Sequence, residues 1–289
     1  MLFSWSAWLI GLGQPFWVLQ AYALQNVICW FALAWLLTRW FPVGHGRAFA
    51  LWFGCLFADG LIASVRFALV DGPSLLLVAV VVLATERNRS WAAAHTIGLV
   101  GLGRETSLLA GVALLEPGGW KADRIRAVAG RGLVALLPLV LWLAYVRWGV
   151  GLHLSWGGSN FAAPFTGYVT KWRVTLAELA SNGFASFARF SLYALVSVTV
   201  QAAYLAVRRD WHSAWWRVGA AHAILLVVLG GAVWDGYAGA FTRIVMPLTI
   251  AFNVRIGRER WFWPLAVLGN LSVLHGLEIL RVPWIGPHL

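Results

Sequence analysis

Between Phe16 and Leu280 the sequence is a succession of long apolar runs broken by short polar turns. They fall at about 16–38, 48–70, 73–85, 91–115, 132–148, 186–207, 215–233, 240–254 and 261–280. The runs are continuous rather than alternating, so they read as helices and not as barrel strands. In lipid every backbone N–H and C=O has to be paired inside the chain, and a helix pairs them locally. Of the residues, 61% are hydrophobic and 11% are charged, against about a quarter charged in soluble domains. The expected fold is therefore all-α: one polytopic membrane domain over 1–289, with no repeats, linker or second domain.

The net charge of +11 does not point to nucleic acid, because the basic residues sit in short turns between apolar runs, as cytoplasmic loops do. Only Lys121 and Lys171 are lysine. That bias suggests a GC-rich bacterial genome, and with it a bacterial cytoplasmic (inner) membrane. The start, MLFSWSAWLIGLG, lacks a basic n-region and a small-residue cleavage site, so it does not read as a signal peptide. Cys29 and Cys55 lie in apolar runs and imply packing rather than a disulfide. Many of the 20 tryptophans flank the runs, among them Trp35, Trp40, Trp91, Trp148, Trp215, Trp216, Trp261, Trp263 and Trp284. They read as an interfacial belt.

One run contradicts its own composition. Arg104 and Glu105 are adjacent in the middle of 91–115. An Arg or an acid at the centre of a spanning helix costs about 2.5–3.5 kcal/mol on insertion scales. Length does not decide whether this run spans. At 1.5 Å per residue the whole run is about 37 Å long and its first half about 20 Å. Charge does decide it. With Arg39 and Arg47 cytoplasmic, a single span over 91–115 puts Lys121–Arg131, Arg208 and Arg209, and Arg255–Arg260 all outside. A hairpin with its tip near Gly103 puts every one of these clusters inside. Glycines at 98, 101 and 103 make the turn easy, and the two charges then line a polar cavity near the outer surface.

On that side the sequence also places Arg66, Asp71, Asp235 and Arg243. Intramembrane ionisable residues are functional candidates by default, although Arg104 and Glu105 could each pair with a neighbour simply to hold the bundle. Asp71, before Gly72-Pro73-Ser74, also fits a helix N-cap. Asp59 and Arg66 share a helix face and suggest a structural contact. No His/Cys/carboxylate cluster has metal-ligand spacing. His95, His153, His222 and His275 are isolated and read as satisfied singly. GLVGLG at 98–103 follows no strand, so it is not a dinucleotide loop. Asn88-Arg89-Ser90 matches a glycosylation sequon on the cytoplasmic side. Within the polar segment 149–185, Val169, Trp172, Leu176 and Leu179 recur at helical spacing, with Lys171, Arg173 and Glu178 off the stripe. This predicts an interfacial helix over 168–181.

Three elements occur in order: an outward acid opening a short helix (VDGPSLLLVAVVVLATER, 70–87), a half-helix ending in a charged tip (LGRETSLL, 102–109), and Arg243 four residues before Pro247. In this order they resemble integral-membrane glycosyltransferases of the GT-C class, over residues 16–145. The resemblance implies a sugar transferred from a polyprenyl-phosphate donor on the non-cytoplasmic side. Asp71 and Glu105 would be the catalytic acids, and Arg104 would be the phosphate contact, with Arg66, Arg243 and Asp235 as further binding candidates. A divalent cation can serve as cofactor in that class. The pattern departs from the family in one respect. The first span and the outer loop carrying the principal acid are missing, and no acidic residue precedes Asp59. Two other readings therefore stand beside the transferase. One is a non-catalytic subunit or scaffold with a protein partner in the membrane. The other is a lipid or small-molecule transporter, whose broken helices look similar.

Overall fold

In a computed structural model, residues 2–42, 44, 46–115, 122–149 and 160–281 are described; the side chain of Arg124 is not. Lys121, His45, His153, Trp284 and the first part of the 149–185 segment lie outside that set. Among the described residues the chain is helical throughout, with a single isolated bridge between Phe161 and Leu229.

Helix α1 (Leu2–Ile10) leads into α2 (Pro15–Leu37), α3 (Gly46–Leu56), α4 (Asp59–Arg66) and α5 (Asp71–Glu86). Next come α6 (Ser90–Gly103) and a 3-10 segment over Glu105–Leu114. Then α7 (Ala122–Gly149), α8 (Thr166–Asn182), α9 (Ala188–Val207) and α10 (Ala214–Val228) follow. The chain closes with α11 (Gly231–Trp234), α12 (Phe241–Ile244), α13 (Met246–Ile256), α14 (Phe262–Gly269) and α15 (Ser272–Leu280). Three helices, α2, α9 and most of α7, are long and apolar enough to cross a membrane, and two bent pairs raise the number to five.

The run 91–115 folds back on itself. Arg104 is extended (φ −154°, ψ 124°) and separates α6 from the 3-10 segment. A Cβ on Gly101 would stand 2.7 Å from a methyl of Leu108, so the two limbs are packed face to face. Both limbs also end at one level. Glu86, just before the turn into α6, accepts a hydrogen bond from Trp40 at 3.0 Å. Trp40 packs edge-on against Trp215 in the first turn of α10. One turn further on, Arg217 donates to the carbonyls of Val112 and Ala113 at the end of the returning limb.

The runs 48–70 and 261–280, expected as single spans, are each broken. The α3–α4 pair bends by 50° and the α14–α15 pair by 49°. A break in a membrane helix frees backbone groups that need new partners, and here side chains supply them. Trp30 Nε1 donates to Leu56 O, Gln201 Nε2 to Gly269 O, and Ser272 N to Ser197 Oγ. Asn253 and Asn270 exchange two amide bonds of 2.9 Å beside the second break. The breaks pack together: a Cβ on Gly276 would lie 2.0 Å from Phe57 O, which leaves room only for glycine. Asp59 and Arg66 do not meet. Asp59 sits 3.4 Å from His275 Nδ1, and Arg66 caps the carbonyls of Ile279 and Arg281, so both residues tie α4 to α15.

Other expectations change in detail. Helix α7 begins at Ala122, so Arg126 and Arg131 belong to a helix rather than a loop. Trp215 and Trp216 are core residues, not belt residues; Trp216 Nε1 bonds Leu205 O. Trp35, Trp91, Trp148, Trp261 and Trp263 are exposed, as a belt requires. The predicted amphipathic helix exists as α8, which packs along α9 with Tyr168 bonded to Thr199. The stripe divides between lipid-side and protein-side surfaces. Val169 and Leu176 are exposed, whereas Lys171 and Glu178 turn toward the protein and bond Gly236 O and the Tyr237 hydroxyl.

This fold predicts which positions share a side. In a chain with Cys29 and Cys55 replaced, cysteines at Arg126 and Arg258 are expected to react with a membrane-impermeant maleimide from one face of sealed vesicles. A cysteine at Glu105 is expected to react from the other. Labelling of 126 and 258 from opposite faces is incompatible with the hairpin.

Candidate functional site: a carboxylate between two arginines

Three elements bring charges to one point at the end of the bundle away from the basic turns. Asp71 is the first residue of α5. The turn before it is held by Ser64, whose Oγ accepts from Gly72 N at 2.7 Å and donates to Leu69 O, and by Ala68 in the left-handed region (φ +49°). Asp71 makes no side-chain cap bond to its own helix, so the capping role is taken by Ser64. Its carboxylate still lies at the positive end of the α5 dipole.

Arg104 arrives from the hairpin tip. Gly103 makes this approach possible, since a Cβ there would lie 2.7 Å from the Phe3 ring and 2.8 Å from Ser74 Oγ. Arg243 arrives on α12, which crosses α4 so closely that a Cβ on Gly60 would stand 2.5 Å from Thr242 O. Arg104 forms an ion pair with Asp71 Oδ1, and Arg243 pairs with Oδ2 at 3.3 Å. The carboxylate is 3% exposed, and the two arginine side chains are 19% and 29% exposed. Arg104 Nε is also fixed by Thr106 Oγ1 at 3.1 Å.

Asp71, Arg104, Glu105 and Arg243, together with Tyr22 of α2, line one cavity of about 380 Å³. Glu105 is exposed, lies close enough to act electrostatically on Arg104, and makes no hydrogen bond or ion pair of its own among the described residues. Two arginines and two carboxylates make the cavity wall formally neutral, with both guanidinium groups drawn to Asp71 and the Glu105 carboxylate left apart from them at the tip. The same arrangement does not fit a divalent cation. Asp71 is already shared by two guanidinium groups, and among the described residues no three His, Cys, Asp or Glu side chains gather.

Four of the six residues singled out from sequence therefore meet. Arg66 does not join them, being occupied at the end of α15. Asp235 lines a separate cavity of about 430 Å³ beneath α8, with Lys171, Glu178 and Tyr237. There, burial lowers the Lys171 ammonium pKa, against the opposing pull of Asp235 and Glu178. Tyr22 was not legible from sequence, because a tyrosine within an apolar run carries no signal of its own.

No family model, curated protein or solved structure matches the chain. What the fold and site define is an all-helical protein with helices able to cross a membrane and, at one end of its bundle, a cavity lined by two arginines and two carboxylates.

Removing one partner of a buried ion pair strands the others. Asp71→Asn should lower unfolding stability by about 1–3 kcal/mol, because it leaves two guanidinium groups facing each other. Arg243→Gln should cost less, since Arg104 still pairs with Asp71. Thermal unfolding of both variants in one detergent checks the order.

Proposed function

We propose that the cavity around Asp71 binds the phosphate of a membrane lipid, and that the chain is a GT-C-like membrane glycosyltransferase using a polyprenyl-phosphate sugar donor on the non-cytoplasmic face of a bacterial inner membrane. The observation that carries this reading is the convergence of Arg104 and Arg243 on a single carboxylate in an open cavity. Guanidinium forks match phosphate oxygens in geometry and retain their charge at any working pH.

The chemistry assigns the two acids different tasks. Asp71, engaged by two arginines, is a poor proton acceptor, and it acts as a positioning residue that aims both guanidinium groups. Glu105, exposed at the tip, is the carboxylate able to accept a proton from an acceptor hydroxyl. The oxygen so freed attacks the anomeric carbon of the donor. The bond from that carbon to the lipid phosphate breaks, and the electron pair leaves on the phosphate, whose charge Arg104 and Arg243 stabilise. A second reading, a non-catalytic subunit of a membrane assembly, is favoured by α7, whose apolar length is almost wholly unburied within the chain.

Purified protein in nanodiscs of phosphatidylcholine, titrated with undecaprenyl phosphate, tests the phosphate site. Arg104→Ala should weaken binding about 10- to 100-fold, as loss of a charge-assisted contact does. Arg104→Lys should retain part of it. Equal binding by wild type and Arg104→Ala would contradict the site. Binding without transfer in any wild-type assay would favour the subunit reading.

A further inference from the structure

A larger cavity lies at the opposite end of the bundle. It has a volume of about 1250 Å³ and is bounded by the turn after α2, the start of α3, and the ends of α9 and α13. Helix α5 spans between the two sites: Asp71 is in its first turn, and Glu86 in its last is bonded to Trp40 on the wall of the large cavity. Sixteen residues put them about 24 Å apart, close to the thickness of a hydrocarbon core.

Five arginines line this cavity, Arg47, Arg208, Arg209, Arg255 and Arg258, with Glu259 as the carboxylate among the lining residues. Glu259 is already committed. It accepts from the Tyr204 hydroxyl at 3.0 Å and pairs with Arg208 at 3.4 Å. Asp210 pairs with Arg255 at 2.8 Å. That leaves Arg47, Arg209 and Arg258 without a carboxylate partner among the described residues. Arg47 lies over the Phe262 ring, and Arg209 bonds only the Ala206 carbonyl.

Positive charge on this side is expected from topology alone. Loop charges of that kind, however, do not need to surround a cavity far larger than one phosphate with three arginines that have no carboxylate partner among the described residues. We infer that this cavity is a second anion site, built for a ligand carrying two phosphate groups, and that a two-phosphate phospholipid headgroup is its occupant. Three unmatched guanidinium groups balance two or more phosphate charges. Basic pockets between helices at this level hold such headgroups. The exposed Phe49 on α3 and Trp263 on α14 provide apolar surface along which acyl chains can run. A soluble nucleoside diphosphate shares the phosphate chemistry but makes no use of that surface. The inference is independent of the sugar-transfer reading, because the two cavities share no residue.

The test uses the full chain in neutral detergent with cardiolipin, inorganic pyrophosphate and ADP as probes. Native mass spectrometry follows retained lipid, and thermal unfolding follows all three probes. The variant Arg209→Gln/Arg258→Gln should lose cardiolipin affinity about tenfold or more, given the usual contribution of each basic residue near anionic lipid. Arg87→Gln/Arg126→Gln, basic positions outside the cavity, should change it less than about twofold. Equal losses in both double variants would reduce the effect to general surface charge and overturn the site. A thermal shift from cardiolipin with none from ADP assigns the occupant to lipid. A shift from ADP and pyrophosphate without one from cardiolipin overturns the lipid assignment. If the double variant does not fold, protection of Arg258 in the wild-type chain from phenylglyoxal by cardiolipin supports the site, and absence of protection refutes it.

Discussion

One carboxylate organises the end of the molecule where the candidate site lies. Asp71 is almost fully buried, and a lone charge in that position would be untenable. Its two oxygens are met by Arg104 and Arg243, which come from parts of the chain far apart in sequence. The pair with Arg104 fixes the hairpin tip against α5. The pair with Arg243 fixes α12, and through the glycine contact at Gly60 it fixes α4 as well. The price of burying three charges is offset because each is partnered and the arginines keep partial access to the cavity.

The remainder of the bundle depends on a related constraint. At the two bends a side chain from another helix takes up a freed backbone group: Trp30 at Leu56, Gln201 at Gly269, Ser197 at Ser272. Bent helices are thus locked by specific polar contacts rather than by apolar packing alone. The bends bring Asp59 and His275 together in the interior, which explains why an isolated histidine in an apolar run is tolerated.

Much of this was legible in the sequence because charge is expensive in lipid. The positions of the basic turns argued for a turn near Gly103, and α6 ends there. Asp71, Glu105, Arg104 and Arg243 were placed on one side by the same reasoning, but the meeting of Arg243 with Asp71 was not legible. The bends at Ala58 and Leu271 were not legible. Apolar runs of normal length surround them, and the residues that stabilise them, Trp30, Gln201 and Ser197, lie on other helices. Arg66 and Asp235 lie outside the Asp71 cavity, since side alone does not specify which neighbour a charge meets. The partners of Lys171 and Glu178, on the α11–α12 connection, were not legible, because that contact has no sequence signature.

The central claim is that 91–115 enters and leaves by one face. Nitroxide labels at Trp91 and Leu115, both exposed, measure it directly by double electron–electron resonance in nanodiscs. Packed antiparallel limbs place the labels within about 20 Å of each other, from a helix-to-segment spacing of about 10 Å plus the label arms. A single spanning helix places them about 36 Å apart at 1.5 Å per residue. A narrow distribution at the short distance is the predicted result; a peak at the long one contradicts the hairpin and the arginine site built on it.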